Sequence, residues 1–195
     1  MLFVGAGTEA AELGWTDATV RLYHDGVVTE ADEARALTTA AAILTAADVT
    51  LHWAHCHAGA PSDAVCARPL APGELALRLT RVRRPATQTH ALALGEALLP
   101  ERGTAPAFAQ LYLERVDDLA RRSGADVAVL LGRAIAHELT HLLSGDGRHA
   151  TTGLMRPIWS AWDLTRNHAA DWMLDTGNVT AIRARTSASM TLARR

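Results

Sequence analysis

Apolar and polar side chains alternate over residues 18–24, Ala-Thr-Val-Arg-Leu-Tyr-His, which predicts a strand ended by a turn at Asp25-Gly26. Across Glu30–Ala47 the apolar spacing becomes helical, and Glu30, Asp32 and Glu33 place acids in the first turn, so a helix is expected there. Strand-like segments return at Val49–Ala54 and at Glu74–Val82, where Leu75, Leu77 and Leu79 share one face. Pro61, Pro69 and Pro72 punctuate the stretch between them. Gly95–Pro106 has the composition of a loop, and Ala107–Val116 reads as a strand running into a short helix. The strongest helical pattern opens at Gly124-Ala125-Asp126 and runs to Ser144-Gly145. An irregular stretch then leads to a last helix over Thr176–Met190, with Asp175 or Thr176 as its cap. This order predicts an α/β or α+β fold, with no internal repeat.

In the long helix, Asp126, Arg133, Thr140 and Ser144 fall on one narrow polar stripe, opposite Leu131, Ile135, Leu139 and Leu142. His137 and His141 lie on the flank between, where a cleft wall would run. The pattern predicts a helix buried around most of its circumference.

Composition narrows the classes. In 195 residues, 49% are hydrophobic and 21% charged, enough to bury a core and too apolar for a disordered chain. The net charge of −2 argues against a nucleic-acid partner held by phosphate neutralisation. All 19 basic residues are Arg. No apolar run approaches the roughly 18–20 residues of a membrane span, and no signal-peptide pattern precedes Arg21. Cys56 and Cys66 could close a loop as a disulfide or stay reduced, so the compartment is open, export included. The expectation is a monomer of one domain, with a sheet and helix part over 16–145 and a C-terminal part over 146–195.

The chemistry concentrates in His137-Glu138-Leu139-Thr140-His141. Residues i and i+4 of a helix differ by about 40° around the axis, so both imidazoles can ligate one ion, with the Glu138 carboxylate beside a water on it. Hydrolytic zinc sites take three protein ligands and leave the fourth position to water. No glutamate follows Glu138, which leaves Asp146, Asp163, Asp171, Asp175, His149 and His168 as third donors. His149 is favoured, with Asp146 and Asp163 next, because Gly145 can end the helix in a left-handed conformation and Gly147 lets the chain return.

These residues, with Gly153-Leu154-Met155 following, resemble the metzincin metallopeptidases, and more narrowly the small bacterial matrixin-like proteins. The resemblance implies one Zn2+ per chain on His137, His141 and His149, Glu138 as catalytic base, and Met155 in a methionine turn beneath the metal. It also implies a metzincin-like α/β (α+β) fold, a mixed twisted sheet with a long zinc-binding helix and a C-terminal helix. The activity implied is that of a metalloendopeptidase acting on a peptide or protein substrate. Two departures stand out. Gly145 comes one residue later and His149 two residues later than in H-E-x-x-H-x-x-G-x-x-H, and Arg156-Pro157 follow the methionine where the family often has Tyr.

Other features carry less. Gly5-Ala6-Gly7-Thr8-Glu9-Ala10 mimics a dinucleotide fingerprint but lacks the flanking strand and helix such a site needs. His52, His55 and His57 alternate across a strand end, which favours separate side chains over a second metal site. Trp159, Trp162 and Trp172 are expected in the core or on the far wall of the cleft. Arg183, Arg185, Arg194 and Arg195 read as a solvated helix face and tail. The alternative function is a catalytically silent, zinc-containing binding protein of the same fold, against which Glu138 argues.

Overall fold

The computed structural model describes residues 16–24, 28–56, 64–71, 73–81, 93–99 and 107–193. Five strands and five α-helices follow in the order β1 (Thr16–Tyr23), α1 (Glu30–Thr45), β2 (Val49–His55), β3 (Glu74–Thr80), β4 (Gly95–Leu98), β5 (Ala107–Tyr112), α2 (Leu113–Ser123), α3 (Val127–Ser144), α4 (Ala161–Arg166) and α5 (Thr176–Ala193). The strands form one sheet in the order β2-β1-β3-β5-β4. All neighbours are parallel except β4, which runs antiparallel to β5. The architecture is thus α/β, as the chain's patterning predicts, with the mixed sheet that the resemblance implies.

β3 lies at the centre, with Leu75, Leu77 and Leu79 buried on one face and Ala76 and Thr80 buried on the other, where Arg78 is exposed. On β1, Ala18, Val20 and Leu22 enter the main core. Arg21 points the other way by strand alternation and is also buried. Its guanidinium donates to the carbonyls of Arg68 (2.6 Å) and Pro69 (2.9 Å) and pairs with Glu74. That contact fixes the crossing segment over the sheet, next to a disulfide between Cys56 and Cys66.

Helix α1 starts at Thr29, whose hydroxyl accepts from the Asp32 N–H at 3.1 Å. It buries Ala36, Leu37, Ala40 and Leu44 and packs on α3. Helix α3 is capped by Asp126, whose Oδ1 accepts from the Ala128 and Val129 N–H groups at 3.0 and 3.1 Å. Every residue from Ala134 to Leu143 is buried, between α1, β4 and β5 on one side and α5 on the other. The expected polar stripe therefore fails at Thr140, which is fully buried. Its hydroxyl donates to the Ala136 carbonyl at 2.7 Å, so burial leaves that group satisfied.

Three further expectations change. Residues 95–98, expected as loop, form an edge strand, because pairing with β5 satisfies a backbone whose own sequence carries no alternation. The helix after β5 is not short but runs from Leu113 to Ser123. Trp159 and Trp172 are buried, whereas Trp162 is 70% exposed. No helix among the described residues is long and apolar enough to cross a membrane. The segment Gly5–Ala10, His57, Arg194 and Arg195 lie outside the described residues.

Candidate active site

Helix α3 carries His137 and His141 one turn apart on the wall of a cavity of about 620 Å³. The His137 Nδ1 lies 3.0 Å from the Leu154 carbonyl, and the His141 Nδ1 lies 2.7 Å from the Asp146 carbonyl. A carbonyl only accepts, so each Nδ1 carries the proton and each Nε2 presents a lone pair. The two Nε2 atoms face each other at 3.2 Å. Two lone pairs at that distance repel unless a cation lies between them.

Gly145 ends α3 in the left-handed region, φ 68°, with its N–H on the His141 carbonyl at 2.9 Å. The return then runs through Asp146, whose carboxylate accepts from the Arg148 N–H (2.9 Å) and guanidinium (2.7 Å). This Asx turn accommodates the late arrival of His149. One ligand atom from each of His137, His141 and His149 lies within 4.8 Å of the others, and these are the donors that can hold a metal ion. His149 is exposed, the other two are buried. Burial lowers the proton affinity of all three rings, taking His137 down to about 3. Neutral imidazoles are what a metal needs.

The rival donors are engaged elsewhere. Asp146 serves Arg148, and Asp163 caps α4 and pairs with Arg156 at 3.0 Å. Asp171 pairs with Arg166, and Asp175 accepts from the Asn178 N–H. His168 stands at the start of the 3-10 turn Ala169–Trp172. His52 meets Asp17, while His55 and His24 meet Glu33 from either side. Among the described residues, the triad on α3 and its return loop is the group of three with metal-ligating geometry.

Glu138 is buried beside the triad, and burial together with the nearby Glu96 carboxylate pushes its proton affinity up to about 8. The β4 strand closes on it. A side chain at Gly95 would put its Cβ 2.9 Å from the Glu138 Oε1 and 2.7 Å from the Gln110 carbonyl, closer than packing allows. Glu96 accepts from the Tyr112 hydroxyl at 2.7 Å, and Arg115 lies over the Tyr112 ring while donating to the Ala93 carbonyl at 2.6 Å. The opposite wall is Arg156–Trp159, with Leu119 and Ala134 behind. Met155 is buried next to Leu154, whose carbonyl accepts from both His137 and the Trp159 indole, the latter at 3.1 Å. Sequence reading missed Glu96, Gly95 and Arg156. Only the burial of β4 against the cleft reveals the first two, while the third was visible as the residue after Met155.

Solved structures share this architecture. Metalloproteinase-II from Bacteroides fragilis superposes with a TM-score of 0.54 at 13% identity, over 88% of this chain and 53% of that one. Archaemetzincin from Methanopyrus kandleri gives a TM-score of 0.51 at 15% identity, over 95% of this chain and 99% of that one. The chain shares its fold with both. The chain spans about half the length of the Bacteroides protein and nearly all of the archaemetzincin. Both likenesses are of fold, and the matrixin-like branch suggested by the motif is not shown by them. No family model and no curated protein matches the chain.

Proposed function

We propose that the protein is a zinc-dependent metalloendopeptidase of metzincin type, with one ion on His137, His141 and His149 and Glu138 as its general base. The observation that carries this reading is the pair of opposed Nε2 atoms at 3.2 Å, each freed for a ligand by a carbonyl on its Nδ1. The two buried donors stand as close as ligands that could share one ion, while the full triad spans up to 4.8 Å and would draw together on it. The carbonyl partners are the outer-sphere contacts that orient metal-binding imidazoles. We take residues 16–145 and 146–195 as two parts of one metallopeptidase domain that meet at this cleft.

A zinc ion on three neutral imidazoles supplies a Lewis acid that acidifies water and offsets negative charge on a carbonyl oxygen. Glu138 takes the proton from the attacking water and passes it to the leaving amine. Burial raises the proton affinity of this carboxyl in the metal-free protein, and a cation held beside it would lower that affinity again toward the ionised form a base needs. Gly95 keeps β4 close enough to hold the Glu138 carboxylate in one place, and the β4 edge and the Arg156–Trp159 wall border the space for the peptide.

The test is cleavage of a mixed peptide substrate by zinc-loaded wild type and Glu138→Gln. Cleavage lost by about 10²–10⁴-fold in the variant, with zinc content unchanged, is the expected result. Equal cleavage by both proteins removes Glu138 from the mechanism, and zinc without cleavage in either points to the silent binding protein.

A further inference from the structure

Helix α5 carries Arg183 and Arg185, which the sequence pattern leaves on a solvated face, yet both are engaged. Arg183 pairs with Asp48 in the turn after α1. Arg185, although exposed, lies across Gly145, the residue that ends α3. A side chain at Gly145 would put its Cβ 1.4 Å from the Arg185 Nη1 and 2.7 Å from its Cζ. The guanidinium fills the space that any other residue would need there. Glycine is thus required twice at this position, by the φ of 68° and by the arginine packed on it.

The last turn of a helix leaves carbonyls that no helical N–H reaches, and the summed dipole makes that end negative. A guanidinium placed there is favourable, and α5 is fixed so as to place it. Ile182, almost one turn earlier, is wholly buried in the core, and the Arg183–Asp48 pair adds a second tie. The turn under Arg185 joins two of the candidate metal donors. Its Gly145 N–H bonds to the His141 carbonyl at 2.9 Å, and the Asp146 carbonyl accepts from the His141 Nδ1 at 2.7 Å. From Asp146 the chain runs on to His149. A shift of this turn therefore moves the group that orients one imidazole and the segment that delivers another.

We propose that Arg185 is a positioning residue for the metal site: its cation clamps the Gly145–Asp146 turn and so holds His141 and His149 in register for one ion. The final helix, packed on α3, thereby sets how tightly the site binds metal. The inference rests on the metallopeptidase reading of the site. It deepens that reading, because metal affinity is then controlled from a helix that carries none of the three donors.

Two variants of the whole chain test it. Arg185→Met keeps the length of the side chain without its charge, and Arg185→Lys keeps a cation. The readouts are zinc affinity by chelator competition and, in metal-free protein, amide hydrogen exchange. Arg185→Met is expected to weaken zinc binding about tenfold or more. The Gly145 and Asp146 amides should then exchange several-fold faster, while those of Ile135–Leu139 within α3 stay unchanged. Arg185→Lys should remain close to wild type in both readouts. Gly145→Ala expels the guanidinium, so Arg185→Met should add little in that background. Unchanged zinc affinity and exchange in Arg185→Met overturn the proposal. So does exchange that quickens evenly along α3, a lysine variant as weak as the methionine one, or full additivity with Gly145→Ala. Wild type that binds no zinc, with the Gly145–Asp146 turn still loosened in Arg185→Met, removes the metallopeptidase reading and leaves Arg185 as the clamp on the turn. Zinc bound equally by all variants, with no local loosening, does the reverse.

Discussion

Backbone carbonyls, not carboxylates, orient the two buried imidazoles, so their tautomers are set by the chain's path rather than by a titrating partner. Burial moves the proton affinities of Glu138 and His137 far in opposite directions, and Glu138 gives the clearer test in the metal-free protein. Its folded proton affinity lies near 8, above the ordinary value of 4.5. The folded state therefore holds this proton more tightly than the unfolded chain. The stability this contributes is complete below pH 4.5 and declines as pH rises to about 8. Glu138→Gln removes the dependence, so the metal-free variant should exceed wild type by several kcal/mol at pH 9 and match it at pH 4. Urea unfolding of chelator-treated protein at the two pH values reads this, and equal stabilities at pH 9 would show that the carboxylate is not buried as described. At this scale the sequence was legible where chemistry follows helical spacing, as for His137, Glu138 and His141. It was silent on Glu96, whose proximity to Glu138 depends on two strands meeting across a sheet.

Elements that own their pattern were readable, and elements that borrow stability were not. Helix α3 was bounded within a residue or so because Asp126 and Gly145 are local signals for its two ends. Strand β4 has four residues and no alternation, and its hydrogen bonds come from β5. Its first residue gives a sharp test. Gly95→Ala drives a methyl group against Glu138, Leu111 and the Gln110 carbonyl. Such overpacking should cost about 1–3 kcal/mol and, with Glu138 as the proposed general base, depress cleavage well beyond that loss of fold because its carboxylate moves. Chemical unfolding and peptide cleavage measured together check it, and full activity would mean β4 does not hold Glu138. The Cys56–Cys66 bridge ties the end of β2 to the turn Ala64–Ala67 across a separation of ten residues. Replacing both by Ser should lower stability by about 2–3 kcal/mol and leave zinc content intact, since the bridge contacts none of the three donors. Loss of zinc in that variant would tie the crossing segment to the metal centre.

Across the whole molecule, the sheet order could not be read from the strands alone. Parallel neighbours such as β3 and β5 are joined through residues whose pattern says nothing of adjacency, and β4 enters between them in sequence but beyond them in space. What patterning did carry was the class, because α1 separates the parallel strands β1 and β2 as a crossover helix must. The resemblance extended that to the fold shared with metalloproteinase-II and archaemetzincin, while its narrower matrixin-like branch is not shown by those likenesses, since a motif of about twenty residues says little about the path of the remaining chain. The central claim is that this fold exists to hold one ion against Glu138. X-ray absorption at the zinc edge, on protein purified without added metal, tests it most directly. The account predicts one zinc per chain with three imidazole nitrogens at about 2.0–2.1 Å and one oxygen, and two nitrogens when His149 is replaced by Ala. A zinc shell unchanged in His149→Ala, or no zinc bound at all, would contradict it.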